Sequence, residues 1–327
     1  MLRWGIAGTG FISDTMARAI ASSVKSEIVA VSGQDAGRLA GFADRFGIAG
    51  RHLDYEEMLA DPGVDAVYIG LPSHLHHQAV RAAAAQGKMI VSEKPLTTTM
   101  VEAEALAEAV RAADVFFVEG LMYLHHPLIA AMGEIIGSGR LGAIRSVRGA
   151  YEADIWRVVN PKGRGTIYNL GCYPASLLQY VMQVAYGPEA FGTRQASGFG
   201  NLGADGMICD AALTVRFDNG VLASIQASDS YGMAFEFAIS GEKGVLCCKT
   251  NPWLPGACEN ILQVQPHDGA VEEIVVSTGL DAFQHQVVCV ENAHRMGLKQ
   301  ASRPAPLLAD SLEVMAMLTT WEADCLA

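Results

Sequence analysis

The sequence predicts an α/β protein, a doubly wound parallel sheet joined to an α+β domain built on a mostly antiparallel, open-faced sheet. Three observations predict it. In the first third of the chain, short apolar runs alternate with alanine-rich stretches whose apolar residues recur at helical spacing, the pattern of strands covered by crossover helices. Beyond about residue 120, alternating strand-like segments joined by turn residues take over. A chain of 327 residues, 50% of them hydrophobic, is also long enough for two domains, each with its own core. The expected domains are residues 1–120 and 121–327, packed around a cleft, with the carboxyl-terminal helix able to pack back on the first domain.

In chain order, the first strands are expected at Leu2 to Ala7, Glu27 to Ser32, Val64 to Leu71, Met89 to Ser92 and Val115 to Val118, with a weaker one at Arg51 to Leu53. Helices are expected between them at Asp14 to Ser22, Ala36 to Phe46, His76 to Gln86 and Met100 to Ala113, all rich in alanine. In the second part, Ile208 to Phe217 and Val221 to Ser228 flank Asp218-Asn219-Gly220, where glycine supplies the positive backbone angle of a tight turn. Ile261 to Gln265 and Val271 to Ser277 flank His267-Asp268-Gly269 in the same manner. Helices at Pro174 to Gln183, Ala282 to Arg295 and Leu307 to Ala323 accompany these strands.

Charge and cysteine usage exclude several classes. A net charge of −12 argues against nucleic acid as a partner, because a phosphate backbone calls for a basic face. A small-molecule substrate is the expected partner. No apolar run approaches a membrane span, and the opening residues lack the pattern of a secretory signal. The 7 cysteines are odd in number and lack paired spacings, which suits a reducing compartment, so a cytoplasmic location is expected. Cys247 and Cys248 are adjacent in a strand-like segment and would point to opposite faces, a poor metal or redox pair.

The first strand runs into Gly8-Thr9-Gly10-Phe11-Ile12-Ser13 and then into a helix. In that arrangement a pyrophosphate can approach backbone N–H groups at a helix N-terminus. Gly8 permits the tight turn, Gly10 removes a side chain that would block the phosphates, and Ser13 is small enough in place of the third glycine. A Rossmann-type dinucleotide-binding domain is therefore expected. The second strand ends Val31-Ser32-Gly33-Gln34-Asp35, with Gly33 where an acidic residue would hold the ribose 2′-hydroxyl of NAD. Ser32, Gln34 and Arg38 could all donate to a 2′-phosphate, so NADP is preferred over NAD. Asp35 could restore NAD if the loop turns differently.

Ser92-Glu93-Lys94-Pro95 follows the strand at Met89 to Ser92, at the carboxyl edge where ligands of doubly wound folds bind. An ammonium there could polarise a substrate oxygen or lower the pKa of a nearby phenol. By spacing alone, a solvated loop lysine is an equal reading.

Five motifs, in order, carry a resemblance: Trp4 to Ile12, Leu71-Pro72-Ser73-His74-Leu75-His76, Glu93-Lys94-Pro95, Glu119-Gly120-Leu121-Met122-Tyr123, and Gly163 to Pro174. Together they resemble the Gfo/Idh/MocA oxidoreductase family, in its glucose-fructose oxidoreductase and dihydrodiol or xylose dehydrogenase branch. The resemblance covers residues 2 to 180; the rest fits by length and strand pattern. It implies that Leu71, Pro72, His76 and Glu93 lie along the cofactor, with His76 packing near the nicotinamide, and that Lys94 points to substrate and nicotinamide. It also implies that Tyr173 stands where members carry a catalytic histidine or tyrosine. A free phenol, with a pKa of about 10, is a poor base at neutral pH, so Lys94 would have to depress it. Apart from the resemblance, Tyr173 reads as a half-buried tyrosine satisfied by one hydrogen bond.

Two positions depart from the family pattern. Asn169 stands where an aspartate is usual, one helical turn before Tyr173, a spacing expected to put both side chains on one face. Asparagine can orient a hydroxyl or a water but cannot take a proton at neutral pH. Leu124 stands where many relatives carry arginine. Tyr123, Trp156 and Arg157 are expected to line the substrate pocket. No metal site is expected: His74, His76 and His77 cluster without a Cys, Asp or Glu at ligand spacing, and His125 and His126 are expected to shape the cleft.

The function expected is hydride transfer between a nicotinamide cofactor and a sugar, polyol or related compound, with Tyr173 as acid/base, Lys94 assisting and Asn169 in support. Two alternatives are carried: a regulator or sensor on the same fold that binds cofactor without turnover, and a glycosidase using NAD for transient oxidation. A homodimer or homotetramer through the carboxyl-terminal sheet is expected, because an uncovered sheet face leaves apolar surface.

Overall fold

Leu2–Ala7 forms the central strand β1, and the elements that follow wind around it in both directions. The computed structural model describes residues 1–156, 161–233 and 235–327. These fold as two units, Met1–Met122 with Phe283–Leu312 and Tyr123–Ala282 with Glu313–Ala327.

In the first unit, β1 is followed by α1 (Phe11–Ala21), β2 (Ser26–Ser32), α2 (Ala36–Phe46), β3 (Gly50–His52), α3 (Tyr55–Leu59), β4 (Ala66–Ile69), α4 (His76–Ala85), β5 (Met89–Glu93), α5 (Met100–Ala113) and β6 (Phe117–Gly120). The strands pair in parallel in the order β3-β2-β1-β4-β5-β6. The order reverses between β1 and β4, and at such a switch point a crevice opens beyond the strand carboxyl ends. β4 is buried along its whole length, as a parallel strand covered on both faces must be. Side chains of Asp35, Asp54 and Thr99 cap α2, α3 and α5 by accepting backbone N–H groups. Val287, Val290 and Ala293 join Leu2, Trp4, Ile20 and Phe42 in one core cluster, so Phe283–Leu312 is part of this unit's core.

The second unit contains α6 (Pro127–Gly137), β7 (Ile144–Glu152), α7 (Thr166–Asn169), α8 (Cys172–Tyr186), β8 (Gln195–Leu202), β9 (Ile208–Arg216), β10 (Leu222–Ser228), β11 (Phe235–Gly241), β12 (Gly244–Cys248), β13 (Asn260–Pro266) and β14 (Glu272–Val276). Its sheet runs β14-β13-β12-β11-β7-β10-β9-β8. All pairs are antiparallel except β7 with β10. The buried residues of β9 and β10 alternate with exposed ones, and the buried helix α8 packs on β7 and β10. Two further helices complete the chain, α9 (Ala282–Met296) and α10 (Leu308–Leu326).

The sequence pattern did not reveal α3, α6, β7, β8 or β11; of β12 it showed the strand-like segment at Cys247 and Cys248. β7 carries Arg145, Arg148 and Gly149 within nine residues, which dilute the apolar alternation. Among the described residues no helix is long and apolar enough to cross a membrane.

Candidate active site

The two glycines of the turn stand in different surroundings. Gly8 has φ +108°, and a Cβ on it would lie 2.7 Å from the Gly70 carbonyl oxygen, so both conformation and space exclude a side chain. A Cβ on Gly10 would meet nothing within 4 Å. Gly10 is the N-cap of α1 and offers no side-chain cap to the helix N–H groups, while Phe11 beside it is 86% exposed. Among the described residues no side chain caps the N-terminus of this 11-residue helix. The hydroxyl of buried Ser13 also has no partner among the described residues. These features fit the pyrophosphate of a dinucleotide, which Gly8, Thr9, Gly10, Phe11 and Ile12 could hold.

At the end of β2, Ser32 is buried, so its hydroxyl does not stand at the surface expected for a phosphate donor. Gln34 is exposed, and a Cβ on Gly33 would crowd Thr9 at 2.9 Å. Asp35 turns to its own helix: its carboxylate accepts the Arg38 N–H at 2.8 Å and lies 3.7 Å from the Arg38 guanidinium. These contacts, the Arg38 N–H first, hold Asp35 below the usual carboxylate range. Arg38 is 76% exposed.

Lys94 follows β5 on a base of buried carboxylates. Its backbone N–H donates to Glu93 Oε2 at 3.2 Å, and the Tyr68 hydroxyl donates to Glu93 Oε1 at 2.6 Å. Burial pushes Glu93 up, while Tyr68 and the Lys94 charge pull it down. On the neighbouring strand Glu119, 2% exposed, is pushed up to about 7 by burial, and the Glu93 charge adds to the rise. Two carboxylates so close cannot both ionise cheaply in a dry interior.

His76 is buried, with Nδ1 2.9 Å from the Pro95 carbonyl and Nε2 2.9 Å from the Leu71 carbonyl. It therefore ties the segment after β4 to the segment after Lys94. Burial, together with the charges of Lys94 and His74, holds it below the usual histidine range. A neutral imidazole has one N–H, so it donates to one of the two carbonyls. The other histidines differ in role. His77 Nδ1 lies 3.4 Å from Glu102. His126 accepts the Leu128 N–H on Nδ1, which leaves the proton on Nε2 to donate to Gly256 O at 3.1 Å. Among the described residues no group of three or more His, Cys, Asp or Glu could hold a metal.

In the second unit Tyr173 lies in the first turn of α8 and is 5% exposed. Its ring meets Tyr151 edge-on at 5.0 Å, Tyr123 at 5.5 Å and Trp253 at 6.2 Å between centroids. Tyr123 bonds the Tyr173 carbonyl at 3.0 Å and the Ser176 hydroxyl at 2.7 Å, holding the start of the helix. Tyr123, expected at the substrate, is fully buried in this cluster. Asn169 is the last residue of α7 and Tyr173 lies on α8, so the expected shared face of one helix is not formed. The break falls at Gly171, where a Cβ would meet Trp321 at 2.9 Å. Arg164 pairs with Glu322 at 2.7 Å, and Tyr168 donates to the same carboxylate at 2.9 Å, anchoring the glycine-rich stretch to α10. Trp156 is 54% exposed. Arg157 lies outside the described residues.

The chain matches two family profiles: Gfo/Idh/MocA "Oxidoreductase family, NAD-binding Rossmann fold" over residues 2–121, and the "GFO/IDH/MocA C-terminal domain" over residues 129–247. It belongs to the Gfo/Idh/MocA oxidoreductase family. An uncharacterised oxidoreductase of Rhizobium meliloti is 36% identical over 55% of this chain and 56% of its own length. A trans-1,2-dihydrobenzene-1,2-diol dehydrogenase of Bos taurus is 28% identical over 78% of this chain and 76% of its own length. The chain is also similar in fold to KijD10, a 3-ketoreductase from Actinomadura kijaniata solved in complex with NADP. That likeness has a TM-score of 0.84 at 22% identity and covers 99% of this chain and 97% of the other. The match to the Rhizobium protein thus spans little more than half of that relative.

Sequence reasoning gave no role to Tyr68, Tyr151 or Trp253, and noted Glu119 only as part of a motif. A tyrosine inside an otherwise apolar buried strand was the available signal for Tyr68, since a buried hydroxyl needs a partner. Trp253 sits in an irregular segment, where no periodicity marks it.

Proposed function

We propose that the protein is an NADP-dependent dehydrogenase or reductase acting on a CH–OH group of a sugar, polyol or related compound. Lys94 carries the reading: a cation at the carboxyl edge of a parallel sheet, seated on buried Glu93, in the unit whose α1 N-terminus stands open to an anion. A family relative named D-xylose 1-dehydrogenase (NADP(+)) 2, from Haloferax volcanii, is 35% identical over 54% of this chain and supports it.

In the oxidative direction the Tyr173 phenolate takes the substrate hydroxyl proton and the Lys94 ammonium stabilises the charge developing on that oxygen. A nicotinamide held at this site would supply the hydride acceptor, so that alcohol and oxidised cofactor would give carbonyl, reduced cofactor and the proton taken by Tyr173. Asn169 supports the site by orienting a hydroxyl. Exposed Gln34 and Arg38, with Asp35 turned to its own helix, favour the 2′-phosphate. Leu71, Pro72 and His76 border the nicotinamide in this reading, and Trp156 and Arg157 the substrate. We further propose a cytoplasmic homodimer or homotetramer formed through the eight-stranded sheet.

The test is a fluorescence titration with NADPH and NADH followed by a carbohydrate screen with the better cofactor. Stereospecific turnover that Tyr173→Phe abolishes while cofactor affinity holds supports the reading. Unchanged turnover removes Tyr173 from the mechanism. Asn169 in place of aspartate favours a second reading, a sensor that binds cofactor without catalysis; cofactor binding with no turnover across the panel would select it.

A further inference from the structure

Three buried side chains from three elements of the first unit converge on the backbone around Lys94. Glu93 at the end of β5 accepts the Lys94 N–H at 3.2 Å, and His76 at the start of α4 bonds the Pro95 carbonyl at 2.9 Å. Glu119 on β6 faces the Leu96 N–H. Every residue from Ile90 to Thr98 is buried except Lys94, which is half-buried. The segment is thus held at one peptide group after another, and Lys94 alone in that run reaches partly into solvent.

Glu119 plays no part in the proposed proton chemistry, yet the sheet brings it to the base of Lys94. In the β5–β6 pairing Ser92 stands opposite Glu119, and Glu93 opposite Gly120. The groups that face the Glu119 carboxyl are the Leu96 N–H, the Ser311 hydroxyl on α10, and the charges of Glu93 and Lys94. Glu119 Oε2 and the Ser311 hydroxyl have no full hydrogen bond among the described residues. A carboxyl matched so incompletely costs stability to bury, and burial accordingly pushes it up to about 7.

An apolar side chain of the same size would avoid that cost. What it could not supply is an acceptor for the Leu96 N–H, two residues after Lys94 and itself buried. Displacing a reacting group by even an ångström slows chemistry severely, so an acceptor that fixes this backbone has a use that packing alone does not explain.

We propose that Glu119 is a positioning residue for the reaction, holding the Leu96 N–H and so setting the backbone from which Lys94 reaches the substrate. This role rests on the proposed function only in that Lys94 meets the substrate; the hold of Glu119 on the segment is tested without turnover. The first measurement follows the Leu96 amide and Lys94 Cε NMR signals of the full chain through about pH 7, the range in which Glu119 titrates. Both should step as the carboxyl ionises, because a carboxylate is the stronger acceptor and adds a charge beside Lys94. Glu119→Gln should abolish both steps, which separates them from titration of Glu93 and His76. The second measurement is kinetic. Glu119→Met fills the volume without an acceptor and should lower kcat about thirtyfold while cofactor affinity stays within about twofold. Glu119→Gln, whose amide oxygen still accepts, should restore kcat to within about threefold of wild type. Signals that stay still in the wild-type chain, or that step equally in Glu119→Gln, would overturn the proposal, as would a folded Glu119→Met that keeps wild-type kcat. A wild-type chain without turnover counts against the proposed function alone. The NMR titration then decides the role of Glu119, as it does where Glu119→Met fails to fold.

Discussion

The hydroxyl of Tyr68, on β4, donates to the carboxylate of Glu93, at the end of β5, at 2.6 Å in a site from which both side chains are almost wholly excluded from water. The two residues are 25 apart in sequence but lie on paired strands, and the bond fixes the carboxylate directly behind Lys94. Tyr68→Phe removes the donor and leaves a buried acceptor less satisfied, so a loss of about 1–3 kcal/mol is expected by chemical denaturation. Losing a donor to the anion also raises the Glu93 pKa, which moves the acid limb of the kcat/KM profile to higher pH. A variant of unchanged stability with an unmoved profile would show that this bond supports neither the fold nor the Lys94 site.

Gly8 and Gly10 separate what folding needs from what binding needs. Gly8 has positive φ and backbone at 2.7 Å from any Cβ, so Gly8→Ala should cost about 2 kcal/mol or more of stability. Gly10 is ordinary in conformation and faces open space, so Gly10→Val should fold normally while filling the room for the phosphates. A thermal melt close to wild type with cofactor affinity lowered at least about hundredfold is the expected result. Retention of affinity by Gly10→Val would place the pyrophosphate elsewhere.

The strand, glycine turn and helix start around Gly8 and Gly10 were legible in the sequence because the information is local: all three lie within a dozen residues. The Tyr68–Glu93 bond was not, since it is made across paired strands and each residue alone reads as part of an apolar run. The Tyr173 environment was hidden for a similar reason. Tyr123, Tyr151 and Trp253 converge on it from three distant segments, and only the β7 pairing and the loop after β12 bring them there. The one-helix reading of Asn169 and Tyr173 failed at Gly171, where close packing of Trp321, remote in sequence, accompanies the break between α7 and α8. The parallel pairing of β7 with β10 likewise depends on a long crossover that period-two patterning does not report.

Arg38 tests the cofactor preference. Its side chain is exposed and its backbone N–H is taken by the Asp35 carboxylate, so the guanidinium is available beyond a surface ion pair of little intrinsic worth. Arg38→Ala is expected to weaken NADPH about tenfold and leave NADH within about twofold, measured by nicotinamide fluorescence. Equal effects on both cofactors would assign Arg38 to the surface and return the selectivity question to Gln34.

Glu119 makes stability depend on pH with a definite sign. Its folded pKa, about 7, lies above the ordinary value of 4.5, so across that window the folded state binds more protons than the unfolded state. Stability at this site is therefore greatest at or below about pH 4.5, declines as pH rises through the window, and levels off above about pH 7. Glu119→Gln replaces the carboxyl by a group of the same shape that never ionises. Relative to wild type the variant should be more stable by about 2–3 kcal/mol at pH 8, with the difference closing near pH 4.5. His76 works in the opposite direction, since its lowered pKa makes the folded state shed a proton that the unfolded state keeps as pH falls below the usual histidine value. The comparison must for that reason be made as the difference between variant and wild type at each pH, by urea denaturation, so that the His76 contribution cancels. A difference that is constant from pH 5 to pH 8 would mean that Glu119 titrates outside this range and is not the group that burial holds protonated beside Glu93.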